Sequence, residues 1–255
     1  MPALPPELAA DYGEPPCDLV VFSAHPDDAE LTCGGLLLTA AAAGWRTGVV
    51  DFTRGESASL GTPETRAQEA REAAGKLGLA LRRNLDLPDG RLDDSDAARE
   101  MVVRTVRELR PRVVLSPQLD DHHPDHMAVA EIVKRSFYLC GIKNYLPELP
   151  PYRPRALLRH LSLRPFRVDL VVDLSEFLER RMDAVRCYRS QFTGRQQDGF
   201  PVRVASKNFL DAVEASLRHY GSLIGAAAGE PFSLETPLPV RDLVGLYESD
   251  AWRDR

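Results

Sequence analysis

Asp18-Leu-Val-Val-Phe-Ser-Ala24 runs directly into His25-Pro26-Asp27-Asp28-Ala29-Glu30, and this junction decides the fold. A short apolar, β-branched run without alternation is what a strand covered on both faces requires. Gly34 to Gly44, rich in Ala and Leu, then reads as a buried helix, too short to span a bilayer. Thr47–Thr53 repeats the strand pattern. Thr62 is placed to cap a helix, with Pro63 at its first position and Gly78 as its stop. A third strand is expected near Arg82–Leu87 and an Asp/Gly turn over Pro88–Gly90. A helix capped by Ser95 keeps Met101, Val102, Val106 and Leu109 at helical spacing. Val113–Ser116 makes a fourth strand, and a helix follows from about Pro124 to Cys140, stopped by Gly141.

Such alternation implies right-handed βαβ units, hence a Rossmann-like α/β fold with a mainly parallel sheet and helices on both faces. C-terminal strands over Ala156–Leu163 and Val168–Leu174, and helices near Glu176–Gln191 and Ser206–Leu223, are expected to extend it. The second helix carries Phe209, Leu210, Val213, Leu217, Tyr220 and Ile224 as its apolar stripe. Residues 17–255 are read as one domain, preceded by a Pro-rich leader over residues 1–16. That leader has five prolines and no basic region, so it is not a signal peptide. Four scattered cysteines without a C-x-x-C pair argue against a disulfide framework and favour a reducing, cytoplasmic setting. A net charge of −6 weighs against nucleic acid as partner, and no stretch calls for a membrane.

Three of the six histidines fall within five positions, in Asp121-His122-His123-Pro124-Asp125-His126. In an open parallel sheet, ligands bind outside the carboxyl ends of the strands. The motif after the first strand and this one after the fourth both belong at that rim. Asp27, Asp28 and Asp125 near helix starts also suit simple capping. Two separate loops each bearing His and Asp are harder to assign to capping alone. Catalytic zinc takes three protein ligands and keeps one position open. Two histidines and one carboxylate would hold it, and a second carboxylate would take a proton from the bound water. Adjacent Asp27 and Asp28 are able to divide those two roles. One histidine must stay off the metal, and spacing alone does not say which. The same donors also suit non-haem iron.

At these residues the chain resembles the LmbE/PIG-L family of zinc-dependent de-N-acetylases: A-H-P-D-D-A-E then G-G, and later H-P-D-H. Asp51–Glu56, Gly61-Thr62-Pro63 with Arg66, Asn84–Gly90, Tyr188–Phe192 and Gly225–Phe232 with Pro237-Leu238 are similar to its bacillithiol-biosynthesis branch. That branch deacetylates N-acetylglucosaminyl malate. The resemblance implies His25, Asp28 and His126 as zinc ligands and Asp27 as general base. It implies His123 as the group that steadies the oxyanion or protonates the leaving amine, with Asp125 orienting a histidine. Arg54 is implied at the oxyanion or a substrate carboxylate, and Arg66 and Asp89 at sugar hydroxyls. It also implies a homo-oligomer, a hexamer among relatives. The branch usually has Arg where this chain has His122, which receives no catalytic role.

A less selective N-acetylglucosamine or chitooligosaccharide deacetylase, or a thiol-conjugate amidase, is the alternative within the family. A silent metal-binding module would have no need of Asp27 and His123. A dinucleotide-binding protein is disfavoured because the first loop offers only Gly34-Gly35, without G-x-G-x-x-G.

Overall fold

A computed structural model of the chain describes residues 17–160, 166–192, 203–206 and 208–247. The expected leader, and the end of the expected strand at residues 161–163, lie outside them. The elements are β1 (Leu19–Ser23), α1 (Asp28–Ala42), β2 (Thr47–Asp51), α2 (Pro63–Leu77), β3 (Leu81–Asn84) and α3 (Asp96–Leu109). Next come β4 (Val113–Ser116), α4 (Pro124–Leu139), β5 (Ala156–Arg159), β6 (Leu170–Asp173), α5 (Leu178–Arg186) and α6 (Arg189–Phe192). The last are α7 (Phe209–Ser222), β7 (Gly229–Leu234) and α8 (Leu243–Tyr247).

The strands form one mixed sheet in the order β3-β2-β1-β4-β5-β7-β6. The first five are parallel, and β7 pairs antiparallel with both β5 and β6. Every residue of β1 is buried, as its unalternating pattern predicts. Val20 and Phe22 belong to a core with Val102 and Val106 of α3 and Val129 and Ile132 of α4. Val21 belongs to the opposite core, with Ala29 and Leu37 of α1, Leu77 of α2 and Ala184 of α5. The caps follow the sequence. Thr62 Oγ1 accepts from Thr65 N–H, Ser95 accepts from Ala98 N–H, and Gly78 closes α2 in the left-handed region. No helix among the described residues is long and apolar enough to cross a membrane.

Two elements differ from expectation. The single helix expected over Glu176–Gln191 is broken into α5 and α6. Between them Tyr188 is fully buried, and Glu69 accepts both the N–H and the hydroxyl of Ser190 at 2.7 Å, drawing that N–H out of a helical ladder. The strand β7 was not expected, and it fills the space between β5 and β6. Its Glu230, fully buried, accepts from the N–H groups of Gly35 (2.9 Å) and Leu36 (2.8 Å) and pairs with Arg181 of α5 at 3.3 Å. A methyl on Gly34 would meet Arg181 Cγ at 2.9 Å, and one on Gly35 would meet Leu174 Cδ2 at 2.6 Å. The paired glycines therefore let α1 lie close against these neighbours. Of the stripe expected on α7, Leu217 is fully buried, with Leu210 and Val213 partly packed beside it.

β1 lies between β2 on one side and β4 on the other. The helices that follow β1 and β4 cover opposite faces, which opens a crevice at the carboxyl ends of these two strands. Both motifs emerge into it.

Candidate active site

The loop leaving β1 is closed by its own side chains. Asp28 Oδ2 accepts from the His25 N–H at 2.8 Å and also lies 3.4 Å from His25 Nδ1. The same oxygen is 3.3 Å from Nε2 of His126, one turn into α4. Donors bound to one tetrahedral zinc at 2.0–2.2 Å sit roughly 3.3–3.5 Å apart. Asp28 Oδ2 thus stands at that spacing from a ring nitrogen on each histidine, and two imidazoles with one carboxylate fit such an ion. His25, His123 and His126 also bring one ring nitrogen each within 4.8 Å of the others. His25, Asp89 and Asp125 form a second group within the same spacing.

The far edges of the two rings are held by carboxylates. His25 Nε2 lies 3.0 Å from Asp89 Oδ1 and 3.3 Å from Asp125 Oδ2. Asp125 in turn accepts from Gly90 N–H (2.7 Å) and Leu92 N–H (3.3 Å). His126 Nδ1 lies 3.2 Å from Asp121 Oδ1. This one oxygen also accepts from the His123 N–H at 2.9 Å and lies 2.8 Å from His122 Nδ1. Such outer carboxylates orient a ligating histidine and fix its tautomer. Asp121 escaped the sequence reading; its only signal was its place immediately before the histidine cluster.

The charges follow the contacts. Burial opposes the His126 cation, but the Asp28 carboxylate and hydrogen bonds to Asp121 and Asp28 hold it up to about 10. His25 is likewise raised well above the usual histidine range: burial works against the cation, and Asp125, Asp28 and Asp89 outweigh it. Asp28 is held well below the carboxylate range, burial being outweighed by His126 and His25. Asp125 is lowered to about 2, again against burial, by His25 and the Gly90 and Leu92 amides.

Asp27 behaves in the opposite way. Burial, only partly offset by Arg66, raises it to about 7. It also stands at φ 121°, in the region that disfavours a side chain. His123 caps α4, its Nδ1 accepting from the Asp125 N–H at 3.2 Å. That leaves the proton of the neutral ring on Nε2. Burial, and then the neighbouring His25 and His126, lower its pKa and favour that neutral form.

His25, Asp27, Asp28, His123, Asp125 and His126 are therefore brought together, as their two motifs imply. The three substrate positions are placed differently. Arg66 is only 3% exposed; its Nη2 donates to Pro26 O and lies 3.2 Å from Asp27 Oδ2. Asp89 faces His25 and accepts from Ser57 N–H at 2.8 Å. Arg54 pairs with Asp86 at 2.7 Å on an exposed rim, beside a cavity of about 250 Å³ floored by Pro26, Pro63 and Ala67. Nearly half-exposed, His122 leans on Asp121.

The segment that carries both His/Asp loops of this sheet matches the model of the PIG-L family. The family model, described as GlcNAc-PI de-N-acetylase, matches residues 20–137. A conserved protein of Thermus thermophilus has a solved structure that superposes with a TM-score of 0.80 at 39% identity, covering 89% of this chain and 97% of that one. The diacetylchitobiose deacetylase of Thermococcus kodakarensis is 26% identical over 66% of this chain and 67% of its own length. A 1D-myo-inositol 2-acetamido-2-deoxy-alpha-D-glucopyranoside deacetylase of Catenulispora acidiphila is 30% identical, over 52% of this chain and 55% of its own. The chain thus spans about half the length of that relative.

Proposed function

We propose that the chain is a metal-dependent amidohydrolase that removes the N-acetyl group from an N-acetylglucosaminyl substrate. The observation that carries this is the placement of Asp28 Oδ2 between His25 Nδ1 and His126 Nε2, while the adjacent Asp27 turns to a separate partner. His25, Asp28 and His126 would hold the ion, zinc by this donor set, with ferrous iron a second candidate. The bound ion supplies a Lewis acid and a water acidified to a pKa of about 7.

Asp27, itself near 7, is suited to take the attacking water's proton at the operating pH. His123, neutral with its free proton on Nε2, donates a hydrogen bond to the oxygen on which charge develops. As the C–N bond breaks, the proton that Asp27 took from the water passes to the departing nitrogen, giving acetate and the free amine. Asp125 and Asp89 hold His25, and Asp121 holds His126. The contacts from Arg66 and Asp89 to sugar hydroxyls, and from Arg54 to the oxyanion or a substrate carboxylate, remain part of this proposal.

The finer reading is deacetylation of N-acetylglucosaminyl malate in bacillithiol biosynthesis, in a cytoplasmic homo-oligomer. It is supported by the motif resemblance over Asp51–Glu56, Asn84–Gly90 and Tyr188–Phe192. The diacetylchitobiose deacetylase relative supports the broader N-acetylglucosamine reading. Amine release is measured with chelated and zinc-reloaded protein on N-acetylglucosaminyl malate and on N-acetylglucosamine. A strong preference in kcat/KM for the malate compound is expected. Equal values remove the bacillithiol reading, and no turnover of either by metal-loaded protein sinks the deacetylase reading.

A further inference from the structure

Arg159, the last residue of β5, is buried at 2% exposure. It shares a face of that strand with Leu157, which packs in the core beneath α3 and α4. Its Nη1 donates to Ser116 Oγ at 2.7 Å and to the carbonyls of Pro117 and Ala130, each at 3.1 Å. Two hydrogens are thus divided among three acceptors. Nε pairs with Glu235 at 3.2 Å, and Nη2 is buried without a partner. The guanidinium is therefore held through Nη1 and Nε alone. The proposed chemistry gives it no task.

Two of its acceptors bracket the second His/Asp motif. Pro117 directly follows β4, and Ala130 lies in the second turn of α4. Between them run Asp121, His123, Asp125 and His126. One nitrogen thus ties the entry of this segment to its exit. Ala130 stands four residues beyond His126, above it on the same face of the helix. Holding the Ala130 carbonyl fixes that part of α4 against the end of β4. The entry has a second tie, since Gln118 Nε2 donates to Ser233 Oγ of β7 at 3.1 Å.

We infer that Arg159 is a positioning residue for the metal centre: it closes the segment 117–130 and thereby sets His126 against Asp28. The inference rests on the proposed ligand set for its metal test, and on the segment itself for a test without metal. Losing a partner that directly orients a ligand typically weakens metal binding about 10–100-fold. Arg159 stands one step further out, so Arg159→Gln should weaken zinc by about tenfold, the low end of that range. At saturating zinc, kcat on N-acetylglucosamine should fall while KM holds. Arg159→Lys keeps a charged donor and should recover part of both losses.

Glu235→Gln separates positioning from stability. It removes the ion-pair partner and leaves the Nη1 contacts in place. Denaturant unfolding should register that change, while zinc affinity matches the wild type. Affinity is read by competition with a chromogenic chelator. Arg159→Gln holding zinc as tightly as wild type overturns the inference, and so does Glu235→Gln weakening zinc equally. The metal-free arm is amide hydrogen exchange on Arg159→Gln, or on Arg159→Lys if the glutamine variant fails to fold. Exchange should speed at His123, Asp125 and Met127, whose N–H groups are bonded within the segment. Unchanged exchange there overturns the inference, as does an equal increase across β1 and β2, which marks lost stability alone. If the wild-type protein binds no zinc, the functional reading falls and the exchange arm still decides the role of Arg159.

Discussion

Asp121 Oδ1 lies 3.2 Å from Nδ1 of His126, across the ring from the nitrogen that faces Asp28. A buried carboxylate thus backs one imidazole on the edge away from the proposed ion. Asp89 and Asp125 back His25 in the same way. Removing such a partner typically lowers metal affinity 10–100-fold. Asp121→Asn should show that loss in a competition titration with a chromogenic chelator. An unchanged affinity would mean that the Asp121 contact does not orient His126.

Asp27→Asn should keep its metal and lose turnover. General-base catalysis contributes about 10²–10⁴-fold, and the drop should fall in that range. Elemental analysis of the purified variant, paired with an amine-release assay, separates the two effects. A variant that retains wild-type kcat removes Asp27 from the chemistry.

Metal uptake should release protons at neutral pH. Without metal, the carboxylates beside His126 hold it up to about 10, so its ring is a cation at pH 7, and Asp125, Asp28 and Asp89 shift His25 in the same direction. A ligating imidazole must be neutral. Affinity should therefore tighten as pH rises from 6 to 8, and calorimetry in buffers of differing ionisation enthalpy should register the protons. The metal-free protein has the opposite trend. Raised histidine pKa values contribute stability below the ordinary value of about 6.5. That contribution is lost as pH climbs through the folded-state value of about 10 for His126. Metal affinity that weakens across pH 6–8 contradicts the assignment.

Glu230→Ala should unfold readily. Both residues of the Arg181–Glu230 pair are buried, at 0% and 1% side-chain exposure. Breaking a buried pair by removing one partner costs about 3–5 kcal/mol. Two α1 amides lose their acceptor at the same time. Denaturant unfolding of the metal-loaded protein measures the change, and a loss below about 1 kcal/mol would show that water replaces the carboxylate.

The parallel half of the sheet was legible because β1, β2 and β4 carry dense β-branched runs, and because Thr62-Pro63, Ser95 and Gly78 mark its helices by local rules. β7 was not. Gly229-Glu-Pro-Phe-Ser-Leu234 has a proline and a buried glutamate inside it, features that argue against a strand when read locally. Its reasons are tertiary: Glu230 meets α1 and Arg181, and Pro231 stands opposite Val171 in β6. The break at Tyr188 was hidden for the same reason, since Glu69 lies far away in sequence. In the site, topology sufficed to bring the two motifs to one crevice. The direction in which a side chain points was not readable. The resemblance implies sugar hydroxyls for Arg66 and Asp89, and in the structure one pairs with Asp27 and the other faces His25.

The bonds from Glu230 to Gly35 and Leu36 also set an order of events during synthesis. The helix that begins with Asp28 is made early, but its acceptor emerges about two hundred residues later. A nascent chain halted before β7 would expose two unanswered amides and leave Arg181 without its counter-ion. The helix that carries Asp28 is therefore expected to settle only after residue 230 has left the ribosome, so the proposed ion would be taken up late in the protein's maturation.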